Sequence, residues 1–238
     1  MKKIVCESYN ELCGTAADLF EAQLTKKPAS VFGLATGSTP IGLYKELSKR
    51  VNNGAMDFSN ATAFNLDEYY PIKSTHPQSY KYFMDAHLFN NVKFASTNIP
   101  NGEATNADEE CTKYDKAIET AGGIDLQLLG IGVNGHIGFN EPDTVYKMST
   151  NLTKLAESTF EVNSRFFDDP NEQPRTALTM GFGSIFAAKQ IVLLISGGNK
   201  AEVARKLFEG KIHTNVPASF LLLHPNVTLI IDKEANGG

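Results

Sequence analysis

Short apolar runs alternate with amphipathic stretches along almost the whole chain, and this alternation constrains the fold more than any other feature. The runs at residues 3–6, 30–35, 61–66, 124–130, 191–195 and 227–231 have the length of strands. Between them, residues 11–24, 40–51, 80–89, 106–121 and 200–208 read as helices. In the first of these, Leu12, Ala16, Leu19, Phe20 and Leu24 form an apolar stripe, and Ser8 with Glu11 makes a capping box ahead of it. Strands alternating with helices join by right-handed crossovers. The expected fold is therefore α/β: a doubly wound, largely parallel sheet with helices on both faces. No internal repeat, low-complexity tract or Pro/Ser-rich linker interrupts the pattern, so residues 1–238 read as a single domain. The stretch 143–174 breaks the rhythm: it is polar and weakly periodic, which suits a lid or an excursion over a site.

Charge narrows the choice of partners. With 22 Lys and Arg against 27 Asp and Glu, the net charge of −5 argues against nucleic acid or an anionic membrane as the main partner. A local basic pocket would have to draw on four arginines, Arg50, Arg165, Arg175 and Arg205. Cys6, Cys13 and Cys111 are odd in number, widely spaced and outside any CxxC, a pattern of reduced thiols rather than a disulfide frame or a zinc site. No long apolar segment follows the two N-terminal lysines and no run of about 18 apolar residues occurs. The expected location is the cytoplasm, with neither signal peptide nor membrane span.

Three strand-end loops carry residues with chemistry. In LLGIGVNGHIGFNEP, an apolar strand stops in a glycine-rich loop that bears His136 and Glu141. An imidazole and a carboxylate at the carboxyl edge of a sheet can move protons at neutral pH; a glycine-rich turn with a solvated His has the same sequence. In FGLATGSTPIGLY, Thr36, Gly37, Ser38 and Thr39 lead into a helix opened by Pro40. The free amides of such a helix start favour an anion, although a plain capped turn also fits and no Walker lysine follows. In TAFNLDEYY, Asp67 and Glu68 end a strand. Neighbours on a strand face opposite ways, so Asp67 is expected in the site and Glu68 on the loop or the second face. Arg165, in NSRFF, and Lys200, after SGGN, are candidate cations; taken singly, each also suits a surface charge. No HExxH motif or Cys/His cluster occurs, so no metal or cofactor is called for.

Taken together, GLATGSTP, FNLDEYY, GIGVNGHIGFNEP, NSRFF and SGGNKA, in this order and spacing, resemble the glucosamine-6-phosphate deaminase family, also called glucosamine-6-phosphate isomerases. The resemblance implies conversion of glucosamine 6-phosphate and water to fructose 6-phosphate and ammonia on a doubly wound α/β sheet. It implies Asp67 as the base that takes the proton from C2 and returns one at C1, His136 as the group that opens the pyranose ring, and Glu141 as its partner. It implies Thr36, Gly37 and Ser38 as the phosphate loop, with Arg165 and Lys200 as its cations. At Asn134 many members carry Asp; an amide still accepts a hydrogen bond from the imidazole but holds no charge, which shifts weight to Glu141. The related alternatives are a 6-phosphogluconolactonase-like hydrolase and a non-catalytic sugar-phosphate sensor. Some family members are hexamers activated by N-acetylglucosamine 6-phosphate at a second phosphate site just after FNEP. Here that stretch offers only Lys147 and Lys154, and the chain ends soon after its last strand. Hyperbolic kinetics in a monomer or small homo-oligomer are therefore expected.

Overall fold

The computed structural model describes residues 1–165, 167, 169 and 172–237. Among them, seven strands form one sheet: β1 (Lys2–Cys6), β2 (Val31–Leu34), β3 (Thr62–Asn65), β5 (Ser96–Asn98), β6 (Leu126–Gly130), β9 (Ile191–Ile195) and β10 (Val227–Asp232), in the order β1-β10-β9-β6-β2-β3-β5. Every pairing in it is parallel. Helices α1 (Tyr9–Lys26), α2 (Ile41–Asn52), α3 (Tyr80–Met84), α4 (Ala107–Thr120), α5 (Glu157–Ser164), α6 (Phe182–Phe186) and α7 (Ala201–Phe208) connect and cover the strands.

The register shows that both faces are covered. Phe32 lies opposite Ala63, and Gly33 opposite Phe64, so Phe32 and Phe64 project from opposite sides. Phe20 of α1 stacks on Phe32 at 5.0 Å, whereas Tyr114 of α4 meets Phe64 edge-on at 5.7 Å. Burial on two faces also explains why β9, IVLLI, has no polar residue. The N-cap of α1 forms as read: the Glu11 amide donates to Ser8 Oγ at 3.2 Å. The reciprocal half differs, because the Glu11 carboxylate takes the amide of Glu7, one residue outside the helix.

Strand order locates the site. From β2 the chain winds outward through β3 to β5, then returns to β6 on the other side of β2 and winds out through β9 and β10. The direction reverses between β2 and β6, so the loops at their carboxyl ends diverge and leave a crevice.

A second sheet departs from the expected pattern. β4 (Asp67–Tyr70), β8 (Thr176–Thr179) and β7 (Asn151–Lys154) form an antiparallel sheet in the order β4-β8-β7. Leu66 is the joint: its amide donates to Leu34 O and its carbonyl accepts from the Met180 amide. The 143–174 stretch thus contains β7 and α5 rather than loop alone. β5 and β7 are sheet edges with polar sequences, STN and NLTK, so neither shows an apolar run. The 80–89 helix is also divided, with a π-helical turn at Asp85–Phe89 after α3.

At the opposite edge of the main sheet, buried Asp125 ties three segments together. Its carboxylate accepts from Lys27 Nζ and Lys189 Nζ at 2.7 Å and from the Val31 amide at 2.8 Å. Burial pushes its pKa up, but the hydrogen bonds from Lys189, Lys27 and Val31 outweigh it and hold the carboxyl below its ordinary range. A depressed folded pKa contributes stability above the unfolded value, lost as pH falls through the folded one. Asp125→Ala is therefore expected to lower stability by about 2–3 kcal/mol at neutral pH, since it strands a buried amide and removes charge-assisted bonds. Urea unfolding of both proteins checks this, and the gap should close in strong acid.

Candidate active site

The β6 loop, at one side of the crevice, builds a contact set from three side chains. Asn134 Nδ2 donates to Glu141 Oε2 at 2.7 Å. A carboxylate only accepts, so this bond fixes the amide orientation and turns Oδ1 toward His136. Oδ1 lies 2.7 Å from His136 Nδ1 and also accepts the His136 amide at 3.2 Å. Glu141 Oε2 is 3.2 Å from the same Nδ1. Both neighbours of Nδ1 are acceptors, so Nδ1 carries a hydrogen, and in the neutral ring Nε2 is the nitrogen with the lone pair. Burial raises the Glu141 pKa, but His136, Thr159 and Asn134 together hold it below the usual carboxylate range. The carboxylate is thus kept ionised beside the imidazole. Asn134 does what Asp would not: an acid there would place a second carboxylate at hydrogen-bonding distance from Glu141.

Two glycines give this set its room. A Cβ at Gly132 would fall 2.2–2.5 Å from atoms of the His136 ring. Gly138 has φ +57°, and a Cβ there would stand 2.9 Å from Thr179 Oγ1 and 3.4 Å from Asp67 Oδ2. The loop therefore packs closely on Thr179 and passes beside Asp67. The adjoining Asn140 pins the loop by donating to Ile137 O and Met180 O.

Asp67 and Glu68 divide their tasks as strand alternation requires. Asp67, the first residue of β4, sits opposite Thr179 and is buried. Burial, reinforced by the neighbouring Glu68 charge, pushes its pKa up to about 8. That is the range in which a carboxylate serves as a general base near neutrality. Glu68 faces away and accepts the amides of Tyr69, Tyr80 and Lys81 at 2.8–2.9 Å, which fixes the start of α3. It thereby places Tyr80, whose ring packs on Tyr69 and Phe139 and whose side chain lies near Thr36.

Across the crevice, Thr36, Gly37 and Ser38 follow β2. Gly37 has φ +90°, a conformation that suits glycine. Pro40 stands at the N-cap position with no side-chain cap, so helix α2 starts one residue later than its sequence indicates. Tyr9 braces the turn from α1: its hydroxyl donates to Thr39 O at 2.9 Å and accepts from the Gly42 amide at 2.8 Å. A cavity of about 470 Å³ opens alongside, lined by residues that include Ser38, Thr39, Lys45 and Ser196.

Lys200 stands at the start of α7, after β9, the neighbour of β6. It is partly buried, which lowers its pKa, and it makes no ion pair among the described residues. Arg165 is exposed at the carboxyl cap of α5. The structure thus brings Asn134, His136 and Glu141 into contact and sets Asp67 against their loop. Thr36 follows β2 near Tyr80, whereas Lys200 and Arg165 arrive on separate elements.

Thr159 and Asn163 were not legible in advance. The Thr159 hydroxyl donates to Glu141 Oε1, and Asn163 Nδ2 donates to the Tyr69 hydroxyl at 2.9 Å. Nothing in the sequence marks Thr159; Asn163 at least lies in the NSRFF motif. Among the described residues no cluster of three or more His, Cys, Asp and Glu is arranged to hold a metal ion, and no helix is long and apolar enough to cross a membrane.

Comparison with known proteins identifies the family. Residues 7–230 match the family described as glucosamine-6-phosphate isomerases/6-phosphogluconolactonase. A glucosamine-6-phosphate deaminase of Thermoanaerobacter pseudethanolicus is 53% identical over 99% of this chain and 94% of its own. One from Clostridium perfringens is 49% identical over 99% and 98%. A solved monomeric glucosamine-6-phosphate deaminase superposes with a TM-score of 0.96 at 44% identity, covering 99% of each chain. A 6-phosphogluconolactonase from Leishmania guyanensis, 19% identical with a TM-score of 0.77 over 100% and 98% of the two chains, shares the fold. The chain belongs to the glucosamine-6-phosphate isomerase/6-phosphogluconolactonase family.

Proposed function

We propose that this chain converts glucosamine 6-phosphate and water to fructose 6-phosphate and ammonia. One observation carries the reading: the loop that holds His136 by its Nδ1 side also passes beside buried Asp67, so two separate proton-transfer groups stand at one sheet edge. An aldose-to-ketose shift in a cyclic sugar needs two. His136 Nε2 takes the proton of the C1 hydroxyl and delivers it to the ring oxygen, opening the ring to the aldehyde, while Glu141 and Asn134 stabilise the imidazolium that forms in between. Asp67 then takes the C2 proton as the aldehyde oxygen gains one from solvent, giving an enolamine, and returns a proton to C1 to leave the C2 iminium. Water adds to that iminium and ammonia leaves. Supplying glucosamine 6-phosphate and following ammonia and fructose 6-phosphate together tests this.

The phosphate is held by Thr36, Gly37, Ser38 and the α2 amides, with Lys200 and Arg165 as cations. Remote binding energy then sets C1 and C2 against Asp67. A partly buried ammonium is easier to accommodate beside an anion. Lys200→Ala and Arg165→Ala should each raise KM for the phosphorylated sugar by about tenfold, the loss of one charge-assisted contact. The unphosphorylated sugar should show little change; an equal loss for both substrates would remove these residues from the phosphate site.

The 143–174 segment, of which residues 166, 168, 170 and 171 lie outside the described residues, serves as the lid, and the enzyme works as a monomer or small homo-oligomer on cytoplasmic sugar phosphate. Regulation at a second phosphate site is not expected: in the described stretch after FNEP, Lys147 donates to Leu152 O and Lys154 is exposed on β7. Saturation curves should be hyperbolic and unchanged by N-acetylglucosamine 6-phosphate. A sigmoidal curve made hyperbolic by that ligand would contradict this.

A further inference from the structure

We propose that Thr159 is a positioning residue for ring opening: its hydroxyl, carried on a helix that Asn163 anchors to Tyr69, fixes the Glu141 carboxylate in the orientation that orients His136. The proposal rests on the assignment of His136 and Glu141 to ring opening.

The two oxygens of Glu141 have different partners. Oε2 receives Asn134 Nδ2 and faces His136 Nδ1, while Oε1 receives the Thr159 hydroxyl. A carboxylate held at one oxygen alone still turns about its terminal bond, and the imidazole would turn with it. Thr159 removes that freedom. It is itself buried and comes from a segment eighteen residues further along the chain.

The helix is fastened at a second point. Asn163 lies one turn after Thr159, on the same face of α5, and binds the Tyr69 hydroxyl. Tyr69 packs on Phe139, Tyr80 and Phe167 at 5.0–5.8 Å. Phe139 belongs to the loop that carries His136 and Glu141, and Tyr69 is two residues from Asp67. α5 therefore docks on the loop of the ring-opening pair and on the strand of the base. Thr159 is the contact through which this docking reaches a reacting group.

Thr159→Val keeps the shape and removes the hydroxyl. It should lower kcat by about tenfold, as expected for a lost hydrogen bond to a charged group. Affinity for glucosaminitol 6-phosphate, the reduced open-chain sugar, should stay at the wild-type level, and Thr159→Ser should recover most of the rate. In a Glu141→Ala background the same valine should add less than about a twofold loss, because coupled residues are not additive. If valine perturbs the helix in thermal unfolding, Thr159→Ala reads the same ratios. Wild-type kcat without the hydroxyl, an equal loss of affinity for the open-chain sugar, or the full loss repeated on top of Glu141→Ala would each overturn the proposal alone. A Glu141→Ala enzyme with wild-type rate would overturn the ring-opening assignment itself, and the proposal with it.

Discussion

Asp67→Asn is expected to reduce turnover of glucosamine 6-phosphate by about a thousandfold, within the range general-base catalysis contributes, while substrate still binds. The amide has the carboxyl's shape but accepts no proton at C2, so exchange of the C2 hydrogen with deuterated solvent should stop as well. Wild-type kcat/KM should fall on the acid side with a pKa well above the ordinary carboxylate range, towards 8, because only ionised Asp67 is competent. Stability should move the other way. Asp67 has a raised folded pKa, so the folded state binds its proton more tightly than the unfolded chain does. Stability is then lost as pH rises from about 3.8 towards 8. The neutral amide carries no such penalty, and Asp67→Asn should unfold at higher urea than wild type at alkaline pH. A mutant that exchanged the C2 hydrogen at the wild-type rate would remove Asp67 from the reaction.

Gly132→Ala should be nearly as damaging, for a purely steric reason. Gly132 is not among the glycines with positive φ, so its backbone tolerates alanine. The added methyl would instead occupy space within 2.2–2.5 Å of His136 Cε1, Nδ1 and Nε2. The ring must swing away from Asn134 and Glu141. Displacement of a catalytic group by about 1 Å costs on the order of a hundredfold, and that loss is expected in kcat on the cyclic sugar. Affinity for the open-chain analogue should stay close to wild type, because Asp67 and the phosphate loop are untouched. A normal rate in this variant would mean that His136 need not sit where the structure holds it.

The sequence discloses the main sheet and its loops because parallel strands buried on two faces, such as β9, are unbroken apolar runs. It discloses the acid–base loop as a glycine-rich strand end bearing His136 and Glu141, but what glycines 132 and 138 make room for is visible only in the fold. It conceals the small sheet. Residues 61–66 read as one strand that Asp67 and Glu68 end, whereas the chain changes sheets at Leu66, whose amide and carbonyl serve different sheets. The placement of Glu68 away from Asp67 follows from alternation, but its function does not, because its partners are the backbone amides of residues 12 and 13 positions on. Thr159 is hidden for a related reason: its significance lies in one long-range contact, and α5 has neither a strong apolar stripe nor a side-chain cap.

The central claim is that two proton-transfer centres at one sheet edge act in sequence on an amino sugar phosphate. The most direct measurement supplies glucosamine 6-phosphate in deuterated water and follows both products. The account predicts ammonia and fructose 6-phosphate in equal amounts, with solvent deuterium at C1 of the ketose. Glucosamine 6-phosphate left unchanged by an enzyme that hydrolyses 6-phosphogluconolactone, or fructose 6-phosphate formed without ammonia, would contradict it.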